Sequence, residues 1–369
     1  MSVGKPIDTV VIGGGVVGMS VAYGLARAGE RVRVLDEGDD AFRAARGNFG
    51  LVWVQGKGVG KPAYARWSME AARLWAGVRD ELTARTGIDL QLSQPGGLSL
   101  CLSDSELEQR SRTLSGLARD VGPDYSFEML DAVELRELCP YIGTKVVGAS
   151  YSSTDGHVSP IRLLRALAEG LNSLQTEILP GQHVDAIEYC DGVFCVRSGT
   201  AAHLAPKVVL AAGLGSARLG PMVGLDVPVA PMRGQILITE RVLPFLDLPL
   251  ATVRQTGDGG VQIGDSKEDV GFDDRSTTDV LSGIAERALR SFPILADLNI
   301  VRTWGALRVM TPDGYPIYQQ SREYPGAFVV TCHSGITLVP HHMGSIAAWI
   351  HGGSEPPAIQ DFKAERFHV

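Results

Sequence analysis

Thr9 to Asp36 reads TVVIGGGVVGMSVAYGLARAGERVRVLD, and this stretch decides the fold. Thr9–Ile12 is a short β-branched run that suits a buried strand. Gly13-Gly-Gly-Val-Val-Gly18 follows, and Met19–Ala28 then has a helical pattern closed by Gly29 as a C-cap. Arg31–Leu35 alternates as a second strand and ends on Asp36, 18 residues beyond the last glycine of the motif. Each part has a physical task in a β-α-β unit that holds a dinucleotide. Gly13 permits a tight turn, Gly15 lets backbone approach a pyrophosphate, and Gly18 lets the helix pack close to the strand. Unpaired N–H groups and the positive dipole end of the helix face the phosphates. Asp36 is placed to accept from a ribose. The motif specifies a dinucleotide without choosing between nicotinamide and flavin.

Working outward, Lys207–Gly215 (KVVLAAGLG) reads as a further strand of the same sheet, ending in small residues near the cofactor. The intervening residues are too many for one loop. They carry helical patterns at Ala63–Thr86, Glu106–Val121 and Pro160–Ser173. From Val227 to Asp269 short strands alternate with turn signals, among them GDGG at 257–260, as in an antiparallel sheet. Asp279–Phe292 is an amphipathic helix and Phe328–Thr331 an apolar strand. The fold class is therefore α/β of mixed type: a Rossmann-type cofactor domain with an antiparallel-sheet substrate domain inserted. The expected division is 1–86, 146–226 and 300–369 for the first, 87–145 and 227–299 for the second.

The chain has 369 residues, 44% hydrophobic and 21% charged, with a net charge of −8. That is an ordinary globular composition, and its sign argues against nucleic acid or an anionic membrane surface as partner. No signal-peptide pattern opens it, and the five glycines within Thr9–Ala28 disfavour a membrane span. Cys101, Cys139, Cys190, Cys195 and Cys332 form no C-x-x-C pair, which suggests reduced thiols in a cytoplasmic protein and no iron–sulfur cluster held by this chain. Thr331–Gly344, TCHSGITLVPHHMG, concentrates three histidines and a cysteine. Adjacent His341 and His342 with a distant His333 match no metal-ligand spacing, so no metal is expected. Cys332 and His333 lack an orienting third group for nucleophilic catalysis.

Five motifs in order carry a family resemblance: the GGGVVG unit with Asp36, AAGLGS at 211–216, MRGQI at 232–236, WGALRVMTPDGYPIY at 304–318, and the histidine–glycine stretch. Together they resemble the amine-oxidising flavoproteins, the D-amino acid oxidase, glycine oxidase and sarcosine oxidase group. Arg46–Gly58, RGNFGLVWVQGKG, and the terminal AERFHV are similar to a narrower branch. That branch contains the β subunits of opine oxidases (octopine, nopaline), D-hydroxyproline dehydrogenases and hydrogen cyanide synthase. The resemblance implies FAD and oxidation of the C–N bond of an amino or imino acid, with hydride transferred to the flavin and the imine then hydrolysed. The sarcosine oxidase cysteine that attaches flavin falls near Ala306, so FAD is expected to be non-covalent.

The resemblance also implies site residues. Arg308 matches a carboxylate-binding arginine, with Arg254 in VRQTGDGG as the alternative. Gln55 and Lys57 follow Trp53 in a loop that relatives place at the flavin, and His333 lies in the segment Cys332–Thr337 that passes the flavin ring. The implied cofactor contacts are Gly13, Gly15, Val16, Val17, Gly18, Asp36, Glu37, Arg46, Gly47, Asn48, Val184, Ala212, Gly213, Gly215, Arg308, Ser334, Gly335, Ile336 and Thr337. Gly335 allows close backbone approach, and Pro340 starts a helix to Ile350. The segment is about two residues shorter than in glycine oxidase, and relatives often carry Gly where Cys332 stands, so the flavin edge is lined differently here. His157 is expected to fix its loop.

Members of the narrower branch work beside an α subunit with a second dinucleotide fold and an iron–sulfur-carrying subunit or domain, sometimes with FMN at a subunit interface. The leading expectation is an opine oxidase or dehydrogenase β subunit. The alternatives are a D-hydroxyproline dehydrogenase subunit, a stand-alone glycine, sarcosine or D-amino acid oxidase, and a non-catalytic flavoprotein in a complex.

Overall fold

The structure is a computed structural model that describes residues 6–38 and 44–368. Val369, the last residue of the AERFHV motif, lies outside the described residues, as do the first five of the cofactor segment. In chain order the first unit is β1 (Thr9–Ile12), α1 (Val16–Arg27) and β2 (Val32–Leu35). Next come β3 (Leu51–Val52), α2 (Pro62–Thr86), β4 (Gly97–Cys101), α3 (Asp104–Val121), β5 (Glu128–Asp131) and α4 (Ala132–Leu138). The middle holds β6 (Gly148–Ser152), β7 (Gly156–His157), α5 (Pro160–Ser173), β8 (Glu177–Leu179), β9 (Ala186–Cys190), β10 (Val193–Ser198), β11 (Ala201–Ala205), β12 (Lys207–Leu210) and α6 (Ser216–Leu219). Then follow β13 (Ala230–Arg241), β14 (Val253–Gln255), β15 (Gly260–Ile263), α7 (Thr278–Ser291), β16 (Ile300–Met310), β17 (Ile317–Gln320), β18 (Ala327–Thr331), α8 (Val339–His341) and α9 (Ala347–His351).

The central sheet has strand order β17-β18-β12-β1-β2-β8. From β18 to β8 all pairs are parallel, and β17 is an antiparallel edge. A parallel sheet must be covered on both faces, which accounts for the unbroken apolar runs in β1 and β12. Val10, Val11, Val208, Val209 and Leu210 are all fully buried, each such burial being worth about 1.5–3 kcal/mol. Helices α1, α5 and the C-terminal helix pack on one face, with Tyr23, Leu25 and Ile346 in the shared core. On the other face Phe194, Val196 and Leu219 close the second core beneath β9–β11 and α6.

A four-stranded antiparallel sheet, β14-β15-β13-β16, stands beside this layer, backed by α7 through Leu237, Val261, Ile284 and Ala288. A three-stranded sheet, β4-β6-β5, extends the same core through Leu98, Leu130 and Ala149. Two strands cross the division expected from sequence. β16 pairs with β13 along ten register positions, and β6 lies between β4 and β5. By hydrogen bonding, 300–310 and 148–152 belong with the antiparallel layers, not with the cofactor-binding layer to which their numbers assigned them.

The C-terminal helix also departs from a plain α-helix over 340–350, because His342–Ile346 forms a π turn between α8 and α9. α1 crosses there at Gly24, where a Cβ would overlap the Met343 carbonyl oxygen, and Arg27 donates to that carbonyl at 2.9 Å. Inserting a residue into the helical ladder redirects a carbonyl in this way.

Candidate active site

Four parallel strands end along one edge, and the residues that follow them form a cleft of about 650 Å³. Ligands bind in such crevices outside the carboxyl ends of parallel strands. Gly13–Gly15 follow β1, Asp36 and Glu37 follow β2, Ala211–Gly215 follow β12, and Cys332, His333 and Gly335 follow β18. β18 and β2 are three strand spacings apart, about 14 Å, so the cleft is elongated across the sheet.

The lining fits a dinucleotide such as FAD. Gly13 has φ +112°, and a Cβ there would overlap the Ala211 carbonyl oxygen. A Cβ at Gly18 would overlap the Gly13 carbonyl oxygen, so Gly18 sets helix-to-strand packing without itself lining the cleft. Gly15 is the N-cap of α1, with no side-chain cap and no acidic residue in the first turn. The first N–H groups of α1 thus lack a side-chain partner beside the cleft, where a pyrophosphate would find both donors and a positive dipole end. Asp36 also braces the glycine turn, accepting from Gly14 N at 2.7 Å and Gly38 N at 3.0 Å.

Val16, Val17, Glu37, Arg46, Asn48, Val184, Ala212, Gly213 and Gly215 all line the cleft. Gly47 is buried behind it, its carbonyl accepting from Trp304 Nε1 at 3.2 Å. The 332–337 segment divides. Gly335 packs against Val16 and Val17, whereas Ile336 and Thr337 are buried away from the cleft. Thr337 Oγ1 accepts from Lys57 Nζ at 3.0 Å and Trp53 N at 3.1 Å, and its carbonyl accepts from Trp75 Nε1 at 3.2 Å. Ser334 lies beside the buried Tyr64.

His333 opens along the cleft wall, and enclosure by protein plus the charges of Arg308, Lys57 and Lys267 push its pKa down to about 3. It is therefore a neutral imidazole that feels three positive charges, none of which lines the cleft. Burial lowers Lys57 to about 8 against the pull of nearby Asp155. Leu307 and Val309 line the cleft, so strand alternation turns Arg308 to the opposite face. There its guanidinium reaches Asp265 Oδ2 at 2.9 Å, Ser266 O at 2.7 Å and Arg233 O at 3.2 Å. Arg308 is thus a fixed, partly buried cation whose carboxylate partner is the exposed Asp265.

Gln55 does not meet the expectation of a reacting residue. It is 3% exposed and its amide is spent within the protein. Nε2 donates to Asp155 Oδ2 at 2.8 Å and Gly97 O at 3.0 Å, while Oε1 accepts from Arg110 Nη2 at 2.7 Å and Ser150 Oγ at 2.6 Å. Its work is to pin the loop that carries Trp53 and Lys57. Arg254, the alternative carboxylate-binding arginine, does not line the cleft: it is 3% exposed and hydrogen-bonded to His157, which is itself buried.

The histidines of the 331–344 stretch diverge. His341 stacks on Trp67 with ring centroids 3.4 Å apart and meets Trp67 O at 2.8 Å, and His342 meets Tyr318 Oη at 3.0 Å. Among the described residues no group of three or more His, Cys, Asp or Glu is placed to hold a metal.

Sequence reading missed Gln182, His183 and Arg218 at the β2 end, and Phe272 and Asp274 on the loop after β15. His183 Nδ1 meets Glu37 Oε2 at 2.8 Å, and Arg218 Nη2 donates to Val184 O at 2.6 Å. Adjacency to Val184 and to AAGLGS was the available signal for the first three. Nothing local in sequence marks Phe272.

The family described as FAD dependent oxidoreductase (DAO) matches residues 8–349. The chain is similar to an opine oxidase subunit of Agrobacterium tumefaciens strain Ach5, 42% identical over 364 residues and covering 98% of each chain. It is similar to the corresponding opine oxidase subunit of Rhizobium meliloti at 40% identity, again covering 98% of each. Among solved structures, glycine oxidase from Geobacillus kaustophilus superposes with a TM-score of 0.90 at 25% identity, covering 96% of this chain and 97% of that one. No helix among the described residues is long and apolar enough to cross a membrane. With a glycine-lined cleft built for a dinucleotide and a family match over nearly its whole length, the chain belongs to the FAD dependent oxidoreductases.

Proposed function

We propose that the protein oxidises the C–N bond of a carboxylate-bearing amino or imino acid, most specifically an opine, as one subunit of a larger enzyme. The observation that carries this reading is a dinucleotide cleft whose β18 end, at His333, feels the charges of Arg308, Lys57 and Lys267, although none of the three lines it. An anionic substrate is drawn to that end of the cofactor site, and a guanidinium fixes a carboxylate bidentately. FAD, when bound non-covalently in the cleft, supplies the acceptor for the substrate hydrogen and its electron pair. The oxidised substrate is an imine, which water cleaves to a carbonyl compound and an amine. Arg308 would hold the carboxylate in exchange for Asp265, and the neutral ring of His333 leaves the positive field to the three cations. Lys57, tied to Thr337, would hold a water for proton exchange.

The similarity to two proteins named as opine oxidase subunits supports the opine reading and a heteromeric enzyme. The partner we propose is an α subunit with its own dinucleotide fold and an iron–sulfur group, with FMN between the two. Phe272, 74% exposed on a cleft-lining loop beside exposed Val270, supports such contact near the cofactor.

Arg308→Lys tests the site. The ammonium keeps the charge and loses the fork, and a charge-assisted bond is worth about 1.5–3 kcal/mol. KM for an opine should rise roughly tenfold to a hundredfold, with the FAD released by acid precipitation unchanged. Unaltered kinetics would place the carboxylate elsewhere.

A further inference from the structure

Two buried side chains of MRGQI, Arg233 and Gln235, close a loop beside the cleft without lining it themselves. Arg233 donates to Glu268 Oε2 through Nε at 3.2 Å and Nη2 at 2.6 Å, and its Nη1 reaches Asp273 Oδ2 at 3.1 Å. One guanidinium thus holds both ends of the stretch 268–273. Gln235 secures the flanks. Its Nε2 donates to Glu268 Oε1 and Thr277 Oγ1, each at 3.0 Å, and its Oε1 accepts from Thr277 N at 2.8 Å. The backbones of Arg233 and Glu268 also exchange hydrogen bonds, at 2.9 and 3.0 Å. Beyond Asp273 the chain rests on β16, where a Cβ at Gly305 would come within 2.4 Å of the Asp274 carbonyl oxygen.

The tip between these posts is held by little. Among the described residues, the one hydrogen bond of 269–272 runs from Asp273 N to Val270 O, at 3.5 Å. Gly271 turns the tip with φ +61°, and a Cβ there would meet nothing within 4 Å. Phe272 leaves this turn 74% exposed, yet it lines the cleft together with Asp274 and with Leu307 and Val309 of β16. A large ring kept in water is unfavourable, and the clamp beneath it prevents its retreat into the core. Function-bearing loops are commonly presented in this way by a rigid scaffold. The ligand of this cleft is suited to the ring: a dinucleotide brings two planar ring systems, each able to cover an aromatic face.

We propose that Phe272 is a cofactor-binding residue that covers the bound dinucleotide, and that Arg233 is the positioning residue that presents it. The inference rests on FAD occupying the cleft, and on neither the opine reaction nor the partner subunit.

The test titrates the FAD-free full-length chain with FAD, in the absence of any other subunit, while the quenching of FAD fluorescence is followed. Phe272→Ala should raise the Kd for FAD roughly tenfold to a hundredfold, whereas Phe272→Trp should bind as wild type does. The thermal transition of the FAD-free chain should be the same in all three, because the side chain is exposed. Asp273→Asn, which removes the charge from one end of the clamp, should weaken FAD roughly threefold in the wild-type background. In the Phe272→Ala background it should change nothing, since the clamp acts through the ring. Wild-type FAD affinity in Phe272→Ala would overturn the proposal, including where that variant loses only its association with a partner subunit. An equal loss for Asp273→Asn in both backgrounds would overturn the positioning role of Arg233.

Discussion

Gly18→Ala should yield a protein without FAD, and Gly15→Ala should do the same while leaving the fold intact. A Cβ at Gly18 overlaps the Gly13 carbonyl oxygen, so α1 must move away from β1. Overpacking of this kind costs about 1–3 kcal/mol and shifts backbone, here the backbone of the phosphate turn itself. Gly15 differs, because its φ of −74° suits any residue and its Cβ would meet only Ala45 Cβ, at 3.9 Å. An alanine there folds normally and occupies the space a pyrophosphate must enter. The ratio of flavin to protein absorbance after desalting should fall more than about tenfold in both variants, the loss of a few charge-assisted hydrogen bonds being sufficient. The thermal transition should fall for Gly18→Ala alone. Retention of FAD by Gly15→Ala would mean that the turn does not hold the pyrophosphate.

Asp155→Ala is expected to be the most destabilising single change near the site. Its carboxylate is fully buried and accepts from Val54 N at 2.5 Å and Gln55 Nε2 at 2.8 Å. Burial pushes its pKa up to about 7 against the pull of these donors and of Lys57. Removing it orphans two buried donors at about 1–3 kcal/mol each, and frees Gln55 to turn within the network of Arg110 and Ser150. Tm should drop by roughly 3–8 °C. Activity should fall as well, because Trp53 and Lys57 are carried by the loop that Asp155 pins. A Tm within about 2 °C of wild type would show that water can replace the carboxylate.

Thr9 to Asp36 was legible almost to the residue, since local rules decide it: β-branched strand, glycine turn, helix, acid. α2, α5 and α7 were legible for the same reason, with Pro62 and Pro160 opening two of them. β8 was not, being three residues long and recruited to β2 from across more than a hundred positions. The site followed the same division. The cleft-lining positions of the glycine unit and AAGLGS could be named because spacing fixes them. Gln55, Arg254 and His157 look like polar loop and strand-end residues locally, and burial against distant segments decides their roles. The partner of Arg308, Asp265, came from a loop more than forty residues away.

Anaerobic addition of octopine or nopaline to the FAD-loaded protein, with the proposed partner subunit, is the most direct test of the proposed reaction. The flavin absorbance should bleach within the time of one turnover, with stoichiometric carbonyl product. In air, an artificial dye should be reduced much faster than hydrogen peroxide forms. Flavin that stays oxidised with both opines, together with rapid peroxide formation by the isolated chain on glycine or sarcosine, would contradict the account.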